Sequence, residues 1–179
     1  SYDNFALPPG YEPWHLCLTK FGLGKGEEKL KWFKRLVTEL WPEPLFMWDR
    51  WSDLFFGALC GAKETVESTI GAKIESDYPW WEQLTATGAA GTGKSSRAAL
   101  WVLCNWLCAR EHTTCMLTST SVTALKQRIW SELVDWIQKC KQPLSDPTIG
   151  WLQIVPSDTI IRWSGEDTKS AIFGRAVDQ

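Results

Sequence analysis

Apolar residues are spaced in two ways along this chain, and the spacing separates a helical first part from a mixed second part. Leu30, Phe33, Leu36, Val37 and Leu40 recur at helical intervals, with Glu27 and Glu28 at the start and Pro42 and Pro44 as a stop, so the pattern predicts a helix from Glu27. A second helix fits Leu45 to Leu59, with Trp48, Trp51, Leu54, Phe55 and Leu59 on one side and Gly61 just past its end. A shorter helical stretch runs from Ala62 to about Ile74, before Asp77-Tyr78-Pro79 breaks the chain. Residues 1–26, rich in Pro, Gly and aromatics, suit an extended arm better than a regular element.

The second part mixes both periods. Lys94 to Arg110 is rich in Ala, Leu and Trp and free of Gly and Pro, which predicts a helix. A long amphipathic helix is expected over Ser121 to Cys140 through Leu125, Ile129, Leu133, Trp136 and Ile137, ended by Pro143. Short β-compatible runs are Gln83 to Thr87, Thr114 to Thr120, Trp151 to Val155, Thr159 to Trp163 and Ser170 to Val177. Thr114 to Thr120 reads as a buried strand, parallel to Gln83–Thr87 through a right-handed βαβ crossover. The last three runs read as a small antiparallel excursion.

Between the first of these strands and the helix from Lys94, residues 88 to 95 read Gly-Ala-Ala-Gly-Thr-Gly-Lys-Ser, a complete G-x-x-x-x-G-K-[ST] pattern. With ordinary residue abundances such a match arises by chance in roughly one chain of this length in a hundred, so it carries weight. Glycines let the backbone curl until successive N–H groups point at phosphate oxygens. Lys94 supplies a point charge for the β- and γ-phosphates, and the Ser95 hydroxyl an oxygen ligand for Mg²⁺. The following helix would turn its positive end toward the same phosphates. Candidate ATP contacts are therefore Gly88, Ala89, Ala90, Gly91, Thr92, Gly93, Lys94, Ser95 and Ser96, with Ser95 at the metal and Lys94 as the group acting on the transferred phosphoryl.

Composition narrows the setting more than the chemistry. At 179 residues, 44% apolar and 22% charged, the chain is long enough for one sizeable core. Its thirteen Trp, spread from Trp14 to Trp163, read first as packing residues and only secondarily as platforms for bases. A formal net charge of −2 gives no global attraction to nucleic acid. Lys20 to Arg35 holds six basic residues, a pattern that a solvated helix face explains as well as a phosphate-contacting one. The six cysteines form no C-x-x-C pair and read as reduced and intracellular. Cys104 and Cys108 are i,i+4, but with only His15 and His112 elsewhere they make a poor metal set, so buried apolar cysteine is the expectation. No apolar run reaches the ~20 residues of a membrane span, and a signal pattern is lacking, so a soluble, non-exported protein is expected.

A complete ATPase of this type needs a hydrophobic strand ending in acids, to anchor Mg²⁺ and orient the attacking water. Glu166-Asp167 follows Ser-Gly, Asp135 lies inside an expected helix, and Asp178 follows a run interrupted by Gly174-Arg175. The acidic strand is thus expected to lie beyond Gln179.

That pattern, with the segment Thr118-Ser119-Thr120-Ser121-Val122-Thr123-Ala124-Leu125-Lys126-Gln127-Arg128-Ile129-Trp130 after the loop helix and strand, resembles the ATPase domain of bacteriophage terminase large subunits. Ile172 to Gln179 resembles the hairpin that such proteins carry shortly before their acidic strand, and the helices with Trp48 and Trp51 are similar in placement to the family's lead-in region. The resemblance implies an α/β fold: a P-loop NTPase (RecA-like, ASCE) three-layer αβα core, incomplete, with an N-terminal helical lead-in and a C-terminal β-hairpin region. It implies an arm and lead-in over 1–82 and a partial ATPase domain over 83–179. It further implies ATP and Mg²⁺ as cofactors, and hydrolysis coupled to translocation of double-stranded DNA into a capsid, with DNA cleavage by a nuclease outside this chain. The implied partners are double-stranded DNA, a portal protein and a small terminase subunit, with a homo-oligomer assembled on the capsid in the cytoplasm of an infected host and no membrane association. Thr118 to Ser121 would correspond to a region coupling nucleotide state to DNA. Many terminases place Arg inside the phosphate loop; here Ala89, Ala90 and Thr92 occupy it and the nearest Arg is Arg97, on the loop helix. Two other classes share the loop: a RecA-like helicase or other nucleic-acid-dependent ATPase, and a non-catalytic nucleotide-sensing or assembly module.

Overall fold

The structure, a computed structural model, describes residues 7–75, 84–88, 91, 93–109, 113–165 and 170–177. It is a mixed α/β protein, and among the described residues there are seven helices and a five-stranded mixed sheet. The chain divides into two compact units, one spanning Pro13–Arg97 and the other comprising Ser1–Glu12 with Ala98–Gln179.

The first unit is helical. Its first helix, α1 (Pro13–Leu23), replaces the extended arm expected there. Trp14, Cys17, Leu18 and Phe21 are all buried and stand at i, i+3, i+4 and i+7, a stripe that outweighs the flanking Pro and Gly. Helix α2 (Gly26–Leu40) follows as its periodicity predicts, burying Leu30, Phe33, Leu36, Val37 and Leu40. Helix α3 (Arg50–Cys60) starts five residues later than expected, because Asp49 is extended and its side chain accepts from the Ser52 N–H, closing the first turn. Gly61, at φ 72°, ends it in the left-handed conformation, and Gly71, at φ 71°, ends α4 (Lys63–Ile70) in the same way.

Aromatic rings knit this unit together. Phe33 lies 4.6 Å from Phe56 and 5.3 Å from Phe21 between ring centroids, and both Phe33 and Phe56 are fully buried. Each such side chain contributes about 2 kcal/mol from removal of apolar surface from water. Polar contacts add register: the Glu27 carboxylate, in the first turn of α2, accepts from the Thr65 N–H at 2.9 Å and from its hydroxyl at 2.6 Å, tying α2 to α4.

Helix α5 (Lys94–Cys108) begins in the first unit and continues into the second, where it buries Ala99, Leu100, Leu103, Cys104, Trp106 and Leu107. The strands are β1 (Thr114–Ser119), β2 (Ser145–Asp146), β3 (Gly150–Val155), β4 (Ile160–Trp163) and β5 (Ala171–Ala176), in the order β1-β5-β4-β3-β2. The antiparallel excursion is present as the β3–β4 and β4–β5 pairs, while β5 runs parallel to β1, from Thr114 opposite Ala171 to Ser119 opposite Ala176.

Three expectations change here. First, residues 84–88 form no strand, and Gln83 lies outside the described residues, so β1 takes its parallel partner from β5 rather than from the segment before the loop. Leu84 stays 42% exposed, so extension of that segment gains little burial against its entropy. Second, β1 is half-exposed: Leu117 is buried, while Thr114, Met116 and Thr118 alternate with it on the open face. Third, the helix expected over Ser121 to Cys140 is two helices, α6 (Val122–Gln127) and α7 (Ile129–Lys139), broken at Arg128 with φ −114° and ψ −106°. Ser121 caps α6 by accepting from the Ala124 N–H at 3.0 Å, and Leu125 then packs over Gly174 of β5, where any Cβ would collide with it. Trp106 stacks on Trp163 at 5.1 Å, joining α5 to β4.

Candidate phosphate-binding site

The site is built on the start of α5, inside the helical unit. Of the nine residues expected to contact nucleotide, Gly88, Gly91, Gly93, Lys94, Ser95 and Ser96 are described, and Ala89, Ala90 and Thr92 lie outside the described residues. Gly91 and Gly93 have φ of 81° and 76°, the left-handed region that only glycine enters cheaply, so two of the loop's three glycines curl the backbone ahead of the helix. Lys94 is the first helical residue, and its ammonium donates to the Gly88 carbonyl at 2.7 Å, closing the two ends of the loop on one another. Ser95 is exposed and Ser96 half-buried on the same turn.

Helix starts present unpaired N–H groups and the positive end of the dipole, so acids are favoured in the first turn. Helices α2, α3 and α4 follow this rule with Glu27, Asp53 and Glu64. The first turn of α5 has no acid and carries Lys94 and Arg97 instead. The positive end of this dipole thus carries cationic side chains of its own, which an acid or an anion from elsewhere would relieve.

Arg97 does not point to solvent. Its side chain is only 12% exposed, and its Nη2 donates to both Asp49 oxygens, at 3.0 and 2.9 Å. Nε donates to the Ser52 hydroxyl at 3.2 Å, and Nη1 reaches the Gly93 carbonyl at 3.5 Å. The same carbonyl accepts the Arg97 backbone N–H at 3.0 Å. Partial burial pushes the Asp49 carboxyl up, but the Ser52 N–H and hydroxyl and the Arg97 guanidinium together outweigh it and hold the group below the ordinary aspartate value.

Asp49 and Ser52 were not among the expected site residues. An Asp just ahead of an apolar-periodic run is an N-cap signal, so the local role of Asp49 was readable; its meeting and that of Ser52 with Arg97 across 45 and more residues was not. Among the described residues no group of three or more His, Cys, Asp or Glu could hold a metal, and all six cysteines are free of disulfides. Asp178, the acid nearest the C-terminus, lies outside the described residues. Among the described residues no helix is long and apolar enough to cross a membrane. No protein-family model, curated protein or solved structure matches this chain.

Proposed function

We propose that residues 88–96 cradle the phosphates of ATP, and that the chain is the nucleotide-binding part of a viral DNA-packaging motor of the terminase large subunit type. The observation that carries the reading is the start of α5: left-handed Gly91 and Gly93 deliver the backbone into a helix whose first turn holds Lys94 and Arg97 and no acid. In this reading the Lys94 ammonium exchanges the Gly88 carbonyl for the terminal phosphates, and amides at the helix start bind their oxygens. Ser95, exposed and next to Lys94, offers the hard oxygen that Mg²⁺ prefers, and Mg²⁺ when bound would neutralise charge on the phosphates. The complete protein would hydrolyse ATP by positioning and charge neutralisation of an in-line transfer to water, and use that cycle to move double-stranded DNA. Support for a packaging motor over another nucleotide-dependent protein rests on the Thr118 to Trp130 segment, which leaves β1 through Ser121 into α6 and α7.

Calorimetric titration of the chain with Mg-ATP and with ADP, against Lys94→Ala, tests the site. Saturable binding that weakens about fiftyfold in the variant is expected, the size of a lost charge-assisted contact. Equal binding by both proteins would refute the cradle. For the motor, double-stranded DNA should stimulate ATP turnover by the full-length protein, and turnover indifferent to DNA would rule that assignment out.

A further inference from the structure

Helix α3 is tied to the first turn of α5 from a distance in sequence, Ser52 standing 45 residues before Arg97. Arg97 uses three faces of its guanidinium at once: Nη2 on the Asp49 carboxylate, Nε on the Ser52 hydroxyl and Nη1 toward the Gly93 carbonyl. The first two partners sit at the start of α3, and the third is the last glycine of the phosphate loop. Gly93 is constrained twice by this arrangement. Its φ of 76° excludes most side chains, and the space a Cβ would fill is occupied by Arg97 Nη1.

The Gly93 carbonyl faces the helix, where it takes the Arg97 backbone N–H. Holding that carbonyl inward leaves the N–H groups at the start of α5 directed out of the helix end, where an anion would be received. A rotation of Arg97 would empty the space behind Gly93 and leave its carbonyl held by the backbone N–H alone. Asp49 also neutralises the guanidinium, so that Lys94 supplies the cationic side chain for the ligand.

We propose that Asp49 and Arg97 are positioning residues of the phosphate loop, with the N-terminus of α3 setting the geometry in which Gly93 and the first turn of α5 receive a triphosphate. The inference rests on the nucleotide reading above and adds to it that affinity is controlled from α3. It also assigns Arg97 a place behind the loop instead of on the phosphates.

The informative substitution is Asp49→Ser, because serine keeps a side-chain oxygen to cap α3 while removing the carboxylate that holds Arg97. Mg-ATP affinity is measured by calorimetry for the wild-type chain, Asp49→Ser and Asp49→Glu, with urea unfolding of each to confirm a folded protein of comparable stability. The expected result is about tenfold weaker binding in Asp49→Ser, the coupling typical of residues in direct contact, with most of the affinity recovered in Asp49→Glu. Wild-type affinity in folded Asp49→Ser would overturn the inference and leave the nucleotide reading standing. So would equal losses in the Ser and Glu variants, which would trace the effect to the altered cap. Absence of Lys94-dependent binding in the wild-type chain would overturn the reading and the inference together. Should Asp49→Ser be unstable, Arg97→Lys serves in its place: it keeps the charge but not the fork, and unchanged affinity there would equally overturn the proposal.

Discussion

At the start of α3, Asp49 closes the helix with its own carboxylate, accepting from the Ser52 N–H at 2.8 Å and the Ser52 hydroxyl at 2.9 Å. At the start of α5, Gly93 has no side chain to do the same, and the first turn presents Lys94 and Arg97. Both starts carry the positive end of a helix dipole, yet α3 meets it with its own Asp49, whereas the first turn of α5 holds no acid. The difference teaches that a helix start lacking an acid of its own can take one from a distant segment. The two are also linked, because the Asp49 that caps α3 holds the arginine of α5.

Three perturbations would break or sharpen this contrast. The largest effect is expected for Gly93→Ala, which adds a Cβ where Arg97 Nη1 lies and places an L-residue at φ 76°. A loss of about 2 kcal/mol in urea unfolding should result, within the usual cost of a strained backbone position. Gly91→Ala meets nothing within 4 Å and should cost only its φ of 81°, about 1 kcal/mol. Equal losses at the two glycines would show that Arg97 does not fill the space behind Gly93.

Asp49→Ala comes next. It removes the cap of α3, and about 1 kcal/mol of stability should be lost, readable as a lowered urea midpoint at unchanged slope. The corresponding Ser95→Ala change at the start of α5 should leave stability nearly untouched while weakening Mg²⁺-dependent nucleotide binding, since that residue is exposed.

The smallest effect is electrostatic. Asp49 is held below the ordinary aspartate pKa of about 3.9, so its contribution is fully present above that value and fades as pH falls through the folded-state value. Its side chain is 55% exposed, which screens the pair with Arg97 and keeps the contribution modest. Unfolding midpoints of the wild type should therefore fall more steeply on acidification below about pH 4 than those of Asp49→Asn. Parallel acid profiles would remove Asp49 from the account.

Much of the fold was readable wherever one helical face is buried against a neighbour. The α2 stripe and the glycine stop after α3 were legible because amphipathic spacing and left-handed caps are local properties. Helix α1 was missed because Pro and Gly flank it closely, while the four-residue stripe from Trp14 to Phe21 was there to be counted. The break at Arg128 has no comparable marker: Leu125 and Leu133 keep helical spacing on either side of it, and only the docking of α6 onto β5 separates them. Strand pairing was legible for the neighbours β3 and β4, joined by Pro156-Ser157-Asp158, and illegible for β1.

By itself the sequence determined the glycine pattern of residues 88–95, the helix stripes and most helix ends, since each depends on residues within one or two turns of one another. Only the tertiary structure decided that β1 pairs in parallel with β5, that residues 84–88 stay outside the sheet, and that Arg97 turns back onto Asp49. These are choices among distant partners with similar local propensity, settled by which backbone edges and charged groups the packed helices and strands bring within hydrogen-bonding distance.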